Sequence, residues 1–201
     1  MFRLLQGDVG SGKTAVAAYC MLATAATSVL GAKSEEDSSS TIPSGRFQAA
    51  IMAPTELLAR QHYHTLTSLL TERGSSLQVG LLVGGQRVAE RRKLREQIES
   101  GEIQLVVGTQ ALICSEAAFA NLGLVVIDEQ HRFGVLQRAL LRQGSRDPHT
   151  LVMTATPIPR TVAHAVYGDL DISVIDELPP GRQEVATYRV ANDQAEQWWE
   201  F

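Results

Sequence analysis

The eight residues Gly7, Asp8, Val9, Gly10, Ser11, Gly12, Lys13 and Thr14 carry the spacing G-x-x-x-x-G-K-[ST]. Glycines at these offsets let the backbone curl until successive N–H groups face inward, and such a concave row of donors binds anionic oxygens. A helix that starts where the loop ends adds its partial positive charge. Lys13 would reach the β- and γ-phosphates of a nucleoside triphosphate, and the Thr14 hydroxyl would sit on its Mg²⁺. A second cluster, Asp128-Glu129-Gln130-His131, closes an apolar run. Asp128 would hold Mg²⁺ through water, and Glu129 would orient or deprotonate an attacking water. In a third, Thr154-Ala155-Thr156-Pro157, the hydroxyls could relay nucleotide state or simply close a strand with ordinary turn chemistry.

For these groups to act together, the loop must lie between a strand and a helix, and the acids must end a neighbouring strand at the same edge. The apolar pattern supplies such elements. Phe2–Leu5 reads as a strand, and Thr14–Leu30 as a helix apolar nearly all round and so largely buried. Strands are expected at Gln48–Ala53, Leu77–Val83, Ile103–Val107, Leu122–Asp128, Thr150–Thr154 and Ile172–Ile175, with helices at Glu56–Glu72, Gln86–Ser100 and Pro159–Tyr167. Strands alternating with helices imply parallel pairing. Continuous apolar runs such as Leu124–Ile127 imply strands covered on both faces. The expected fold class is α/β, an open sandwich with Lys13 and Asp128 facing each other across neighbouring strand tips.

Composition sets outer limits. The chain has 201 residues, enough for one large domain. Two cysteines, Cys20 and Cys114, exclude a disulfide scaffold. A net charge of −4 argues against a protein basic all over but leaves room for a local basic groove. No run is long and apolar enough for a membrane span, and a cytoplasmic, reducing setting is expected. Lys33–Arg46, rich in serine and acid, reads as a mobile surface loop. Leu178-Pro179-Pro180-Gly181 breaks the pattern. Beyond it Gln183–Val190 alternates like an edge strand, and the tail ends in Trp198-Trp199-Glu200-Phe201. Arg87, Arg91 and Arg95 recur every four residues among acids, which reads as a solvated, salt-bridged face rather than a nucleic-acid patch. His62 and His64 lack metal-ligand companions and read as surface helix residues. Cys20 reads as a small buried apolar group.

The ordered set GDVGSGKT, APTELLARQH, VGTQALI, DEQHRFG and TATPIPRT resembles superfamily 2 helicases and translocases. DEQHRFG and TATPIPRT narrow the resemblance to the RecG/Mfd branch, and IDELPPGR with the Gln of DEQH brings it nearest the RecG family. The resemblance implies a P-loop, RecA-like three-layer αβα lobe over residues 1–190, with an insertion at 33–46. It implies a tail at 191–201 leading to a second RecA-like lobe, and a wedge domain upstream of Met1. The segment then reads as a first motor lobe separated from its parent. The implied cofactors are ATP and Mg²⁺, and the implied partner is branched, double-stranded DNA held by its backbone at stalled forks and Holliday junctions. By the same resemblance Pro54 and Thr55, Gly84 and Gly85, and Thr109 would touch that backbone. His131, Thr154, Thr156 and Arg160 would couple ATP state to DNA movement, with Arg132 and Phe133 alongside. Gln110 stands where members often carry His. The rival readings are an Mfd-like double-stranded DNA translocase and a P-loop nucleotide switch that needs no DNA.

Overall fold

The computed structural model describes residues 1–29, 45–72, 74–109, 119–129, 148–156 and 170–177. The expectations for Gln110, Cys114, His131, Arg132, Phe133, Arg160, the Pro159–Tyr167 helix, the Gln183–Val190 strand, the 191–201 tail and most of Lys33–Arg46 lie outside the described residues.

Seven strands form one sheet: β1 (Phe2–Gly7), β4 (Gln48–Met52), β5 (Val79–Leu82), β6 (Leu105–Gly108), β7 (Leu122–Asp128), β8 (His149–Thr154) and β9 (Asp171–Ile175). Their order is β5-β6-β4-β7-β8-β1-β9, and every neighbouring pair is parallel. The expected mostly parallel sheet is therefore wholly parallel among the described strands. The central strands β4 and β6 are buried along their full length, as double-sided coverage requires.

Side chains alternate between two cores, because successive strand residues point to opposite faces. On one face Leu5, Ala49, Ile51, Val107, Val126 and Met153 meet Ala17, Ala18 and Met21 of helix α1 (Lys13–Ala26) and Ala59, Leu66 and Leu70 of helix α2 (Glu56–Glu72). On the other, Leu4, Ala50, Met52, Val106, Val125 and Val152 meet Ile98 of helix α3 (Val88–Glu99) and Leu170. These are the three layers of a RecA-like αβα sandwich.

Two expectations are corrected here. Helix α1 is not buried all round: Val16 and Tyr19 are exposed, and Tyr19 keeps 74% of its surface. Its apolar look comes from alanines, which cover a sheet closely on one side without demanding cover on the other. The end of the segment read as a loop is also structured: β2 (Ser28–Val29) pairs antiparallel with β3 (Gly45–Arg46).

A polar staple lies inside the sheet. Gln48 is fully buried; its amide donates to the carbonyls of Ile98 (2.9 Å) and Ile103 (2.7 Å) and accepts from the N–H of Asn121 (3.0 Å). A buried amide stays favourable only when its groups are paired. Here the pairing joins the end of α3, the entry to β6 and the entry to β7.

Candidate nucleotide site and nucleic-acid edge

The Gly7–Thr14 loop joins β1 to α1, the strand-loop-helix context the motif demands. Gly10 (φ 82°) and Gly12 (φ 96°) take the left-handed backbone that turns successive N–H groups to one side. Gly7 is held tightly: a Cβ there would stand 2.5 Å from the Ser11 Oγ. That Ser11 hydroxyl is buried with no hydrogen-bond partner, an open polar group inside the cradle. The Lys13 ammonium donates to the carbonyls of Gly7 (2.7 Å) and Asp8 (2.8 Å), spanning the loop's own mouth. The glycine-lined curl, the unsatisfied hydroxyl and a lysine held only by neutral carbonyls fit a polyphosphate.

The acids lie at the same edge. Parallel registers set Asp128 beside Met153 and Thr154 beside Gln6, so β7, β8 and β1 end together. The expectation of neighbouring tips is corrected: β8 lies between the lysine's strand and the aspartate's, so Thr154-Ala155-Thr156 sits between the loop and the acids. Glu129 has a left-handed backbone (φ 49°), uncommon for a residue other than glycine. Its carboxylate accepts from the N–H of Ala155 at 3.1 Å, while its own N–H donates to the Met153 carbonyl at 3.1 Å. Thr154 is buried, and its hydroxyl accepts from the N–H of Thr156.

The residues assigned to DNA end the other half of the sheet. Pro54 and Thr55 follow β4, Gly84 and Gly85 follow β5, and Thr109 follows β6. Thr55 caps α2, its hydroxyl accepting from the Leu58 N–H and its carbonyl from Ala59. Gly84 and Gly85 are exposed, and a Cβ on Gly85 would lie 3.9 Å from the Glu56 carboxylate. The Thr109 N–H reaches the Leu82 carbonyl. All three groups thus line one continuous edge, with the exposed glycines after its outermost strand, β5.

Residues 3–165 match the DEAD/DEAH box helicase family. The chain belongs to this family. It is similar to the ATP-dependent DNA helicase RecG of Aquifex aeolicus, 48% identical over 98% of this chain and 23% of that protein. To the RecG helicase of Bacillus subtilis it is 49% identical, over 96% of this chain and 25% of the relative. A solved structure of RecG bound to a three-way DNA junction shares 42% identity and superposes with a TM-score of 0.75, covering 98% of this chain and 24% of that one. The DUF1998 helicase MrfA bound to DNA has the same fold, at a TM-score of 0.62 and 20% identity, over 88% of this chain and 25% of the other. This helicase-family chain thus spans about a quarter of the length of the curated relatives it matches.

Sequence reasoning misplaced one residue that lies against the acids. His62 is not on the surface of α2: it is buried, and its Nε2 lies 2.7 Å from Oδ2 of Asp128. The signal was present, since Ala59, His62, Leu66 and Leu70 fall at the 3–4 spacing of an inward stripe. The arginine face is also corrected. Arg92 pairs with Glu96, while the Nε atoms of Arg91 and Arg95 are buried without hydrogen-bond partners. Among the described residues no cluster of three metal-ligating side chains occurs, and no helix is long and apolar enough to cross a membrane. Cys20, expected to be buried, is only partly so, and that partial burial pushes its thiol up from its ordinary range.

Proposed function

We propose that this chain is the ATP-binding motor lobe of a RecG-type DNA helicase that works on branched DNA in recombination and repair. The observation that carries the reading is a shared sheet edge: the Gly7–Thr14 loop, Asp128 and Glu129 end one half, and Thr55, Gly85 and Thr109 end the other. A nucleotide switch without DNA has no need of that second half. The Mfd-like alternative is not favoured, since relatives at 45–49% identity are RecG helicases.

The chemistry follows from the groups present. Loop N–H groups and the start of α1 receive the phosphates, and Lys13 exchanges two neutral carbonyls for anionic oxygens. Thr14 and Asp128 would hold Mg²⁺, which neutralises charge on the transferring phosphoryl group when bound. Glu129 would orient the attacking water and take its proton. Its bond to Ala155 gives the Thr154–Thr156 turn a direct view of changes at the acid, which supports a relay role for that turn. At the other end, hydroxyls and exposed amides suit phosphate contacts that carry no sequence information.

A complete motor of this kind needs a second RecA-like lobe to supply an arginine finger, and a wedge domain to recognise the branch. Without the finger, turnover falls by about 10³–10⁵-fold. The test is ATP hydrolysis and fork unwinding by the full-length protein that carries this chain. Hydrolysis stimulated by forked DNA and lost in Lys13→Ala is expected. Hydrolysis indifferent to DNA, or displacement of a stalled polymerase without action on forks, would overturn the reading.

A further inference from the structure

We propose that His62 is a positioning residue that holds the Asp128 carboxylate in the orientation needed to support a nucleotide-bound Mg²⁺. The inference rests on the nucleotide-site reading above and deepens it, because among the described residues His62 is the one hydrogen-bonded to that carboxylate.

Asp128 keeps 13% of its side-chain surface and His62 keeps 7%, so neither is oriented by bulk water. A carboxylate oxygen can only accept, so Nε2 of His62 donates, which selects the ring orientation and the proton-bearing nitrogen. The bond engages Oδ2 and leaves Oδ1 to face a second partner. His62 also lines a small cleft together with Thr14, Ala18, Met21, Ile51, Thr65 and Leu66. It therefore lies beside both groups assigned to the metal: bonded to Asp128 and sharing a cleft wall with Thr14.

A purely packing role explains this poorly. The stripe Ala59, Leu66 and Leu70 is aliphatic, and a leucine at position 62 would fill the same space without burying polar atoms. Among the described residues, the polar contact of the imidazole is with the acidic motif. Helix α2 is a stiff mount for it, capped by Thr55 and packed on the sheet through Ala59, Leu66 and Leu70. Groups of this kind, which do not touch a metal but fix the side chain that holds it, tune its affinity.

The experiment compares wild type, His62→Leu and His62→Gln in the full-length protein. Binding of a fluorescent ATP analogue is titrated with Mg²⁺ and in EDTA, alongside kcat, KM for ATP and melting temperature. His62→Gln keeps an N–H donor near the Nε2 position; His62→Leu removes it. In His62→Leu the gain in affinity that Mg²⁺ confers should shrink by about 10–100-fold, with affinity in EDTA unchanged. At a fixed Mg²⁺ concentration the same variant should lose kcat and show a raised KM for ATP, and His62→Gln should recover most of both. An undiminished Mg²⁺ gain in a folded His62→Leu protein overturns the proposal. If His62→Leu does not fold, His62→Met takes its place. Failure of both to fold beside a stable His62→Gln would make the bond a folding element and likewise overturn it. Should wild type bind nucleotide no better than Lys13→Ala, the nucleotide-site reading itself has failed, which is a separate result.

Discussion

The Glu129 carboxylate accepts a hydrogen bond from the backbone N–H of Ala155, joining the end of β7 to the turn that follows β8. A residue with a left-handed backbone thus holds its side chain against the next strand's exit. Unfavourable backbone of this kind persists where surrounding contacts over-determine it, and it clusters at functional sites.

Glu129→Gln keeps an oxygen that can accept from Ala155 but loses the proton acceptor. ATP hydrolysis by the full-length protein should fall by about 10²–10⁴-fold. Nucleotide affinity and melting temperature should stay close to wild type. Steady-state hydrolysis alongside binding of a fluorescent ATP analogue checks this; equal losses in both would assign Glu129 to binding instead.

Lys13 is partly exposed and bonds only to two loop carbonyls, so the fold does not depend on it. Lys13→Ala should weaken nucleotide binding by about 1.5–3 kcal/mol, the worth of hydrogen bonds to charged groups, with unchanged circular dichroism. Gly12→Ala tests the loop independently. Nothing lies within 4 Å of an added Cβ, so any loss there comes from the φ of 96° alone. It should cost about 1–2 kcal/mol of binding.

Thr55 combines two duties that substitution can separate. Thr55→Ala removes the cap of α2 and should destabilise the chain by about 1 kcal/mol. Thr55→Asn restores a capping oxygen. If Thr55 also meets DNA phosphate, Thr55→Asn should recover the melting temperature while DNA affinity, read by fluorescence anisotropy at two salt concentrations, stays low. Full recovery of both would leave Thr55 a cap and nothing more.

Gln48 carries the largest expected stability effect. Gln48→Leu removes the donor to two buried carbonyls, of which that of Ile98 still accepts from the Gly101 N–H, and takes away the acceptor of the half-buried Asn121 N–H. The loss should be about 2–4 kcal/mol, seen as a lower urea midpoint in chemical denaturation. A change under about 0.5 kcal/mol would mean that local rearrangement re-pairs those groups.

Much of this architecture could be read from residue order. The phosphate loop announced itself, because its glycines, lysine and threonine serve neighbours only a few residues away. Helix α2 and strand β7 appear at the bounds their apolar pattern predicts, Glu56–Glu72 and Leu122–Asp128. Local periodicity sufficed for them because each buries a face that repeats within a few residues. What residue order could not reveal was who stands beside whom. Strand order is settled by packing across the whole sheet, and it set β8 between Lys13 and Asp128 where adjacency was expected. Gln48 looked like any polar strand start until its three partners, fifty or more residues away in sequence, closed around it. His62 looked like a helix-surface histidine because its partner lies sixty-six positions further along the chain. Residue type and short-range spacing carried the chemistry of the loop and the acids, because those signals act between near neighbours in the chain. Tertiary structure alone decided which buried imidazole reaches which carboxylate, because that pairing exists only once α2 lies on the sheet beside the end of β7.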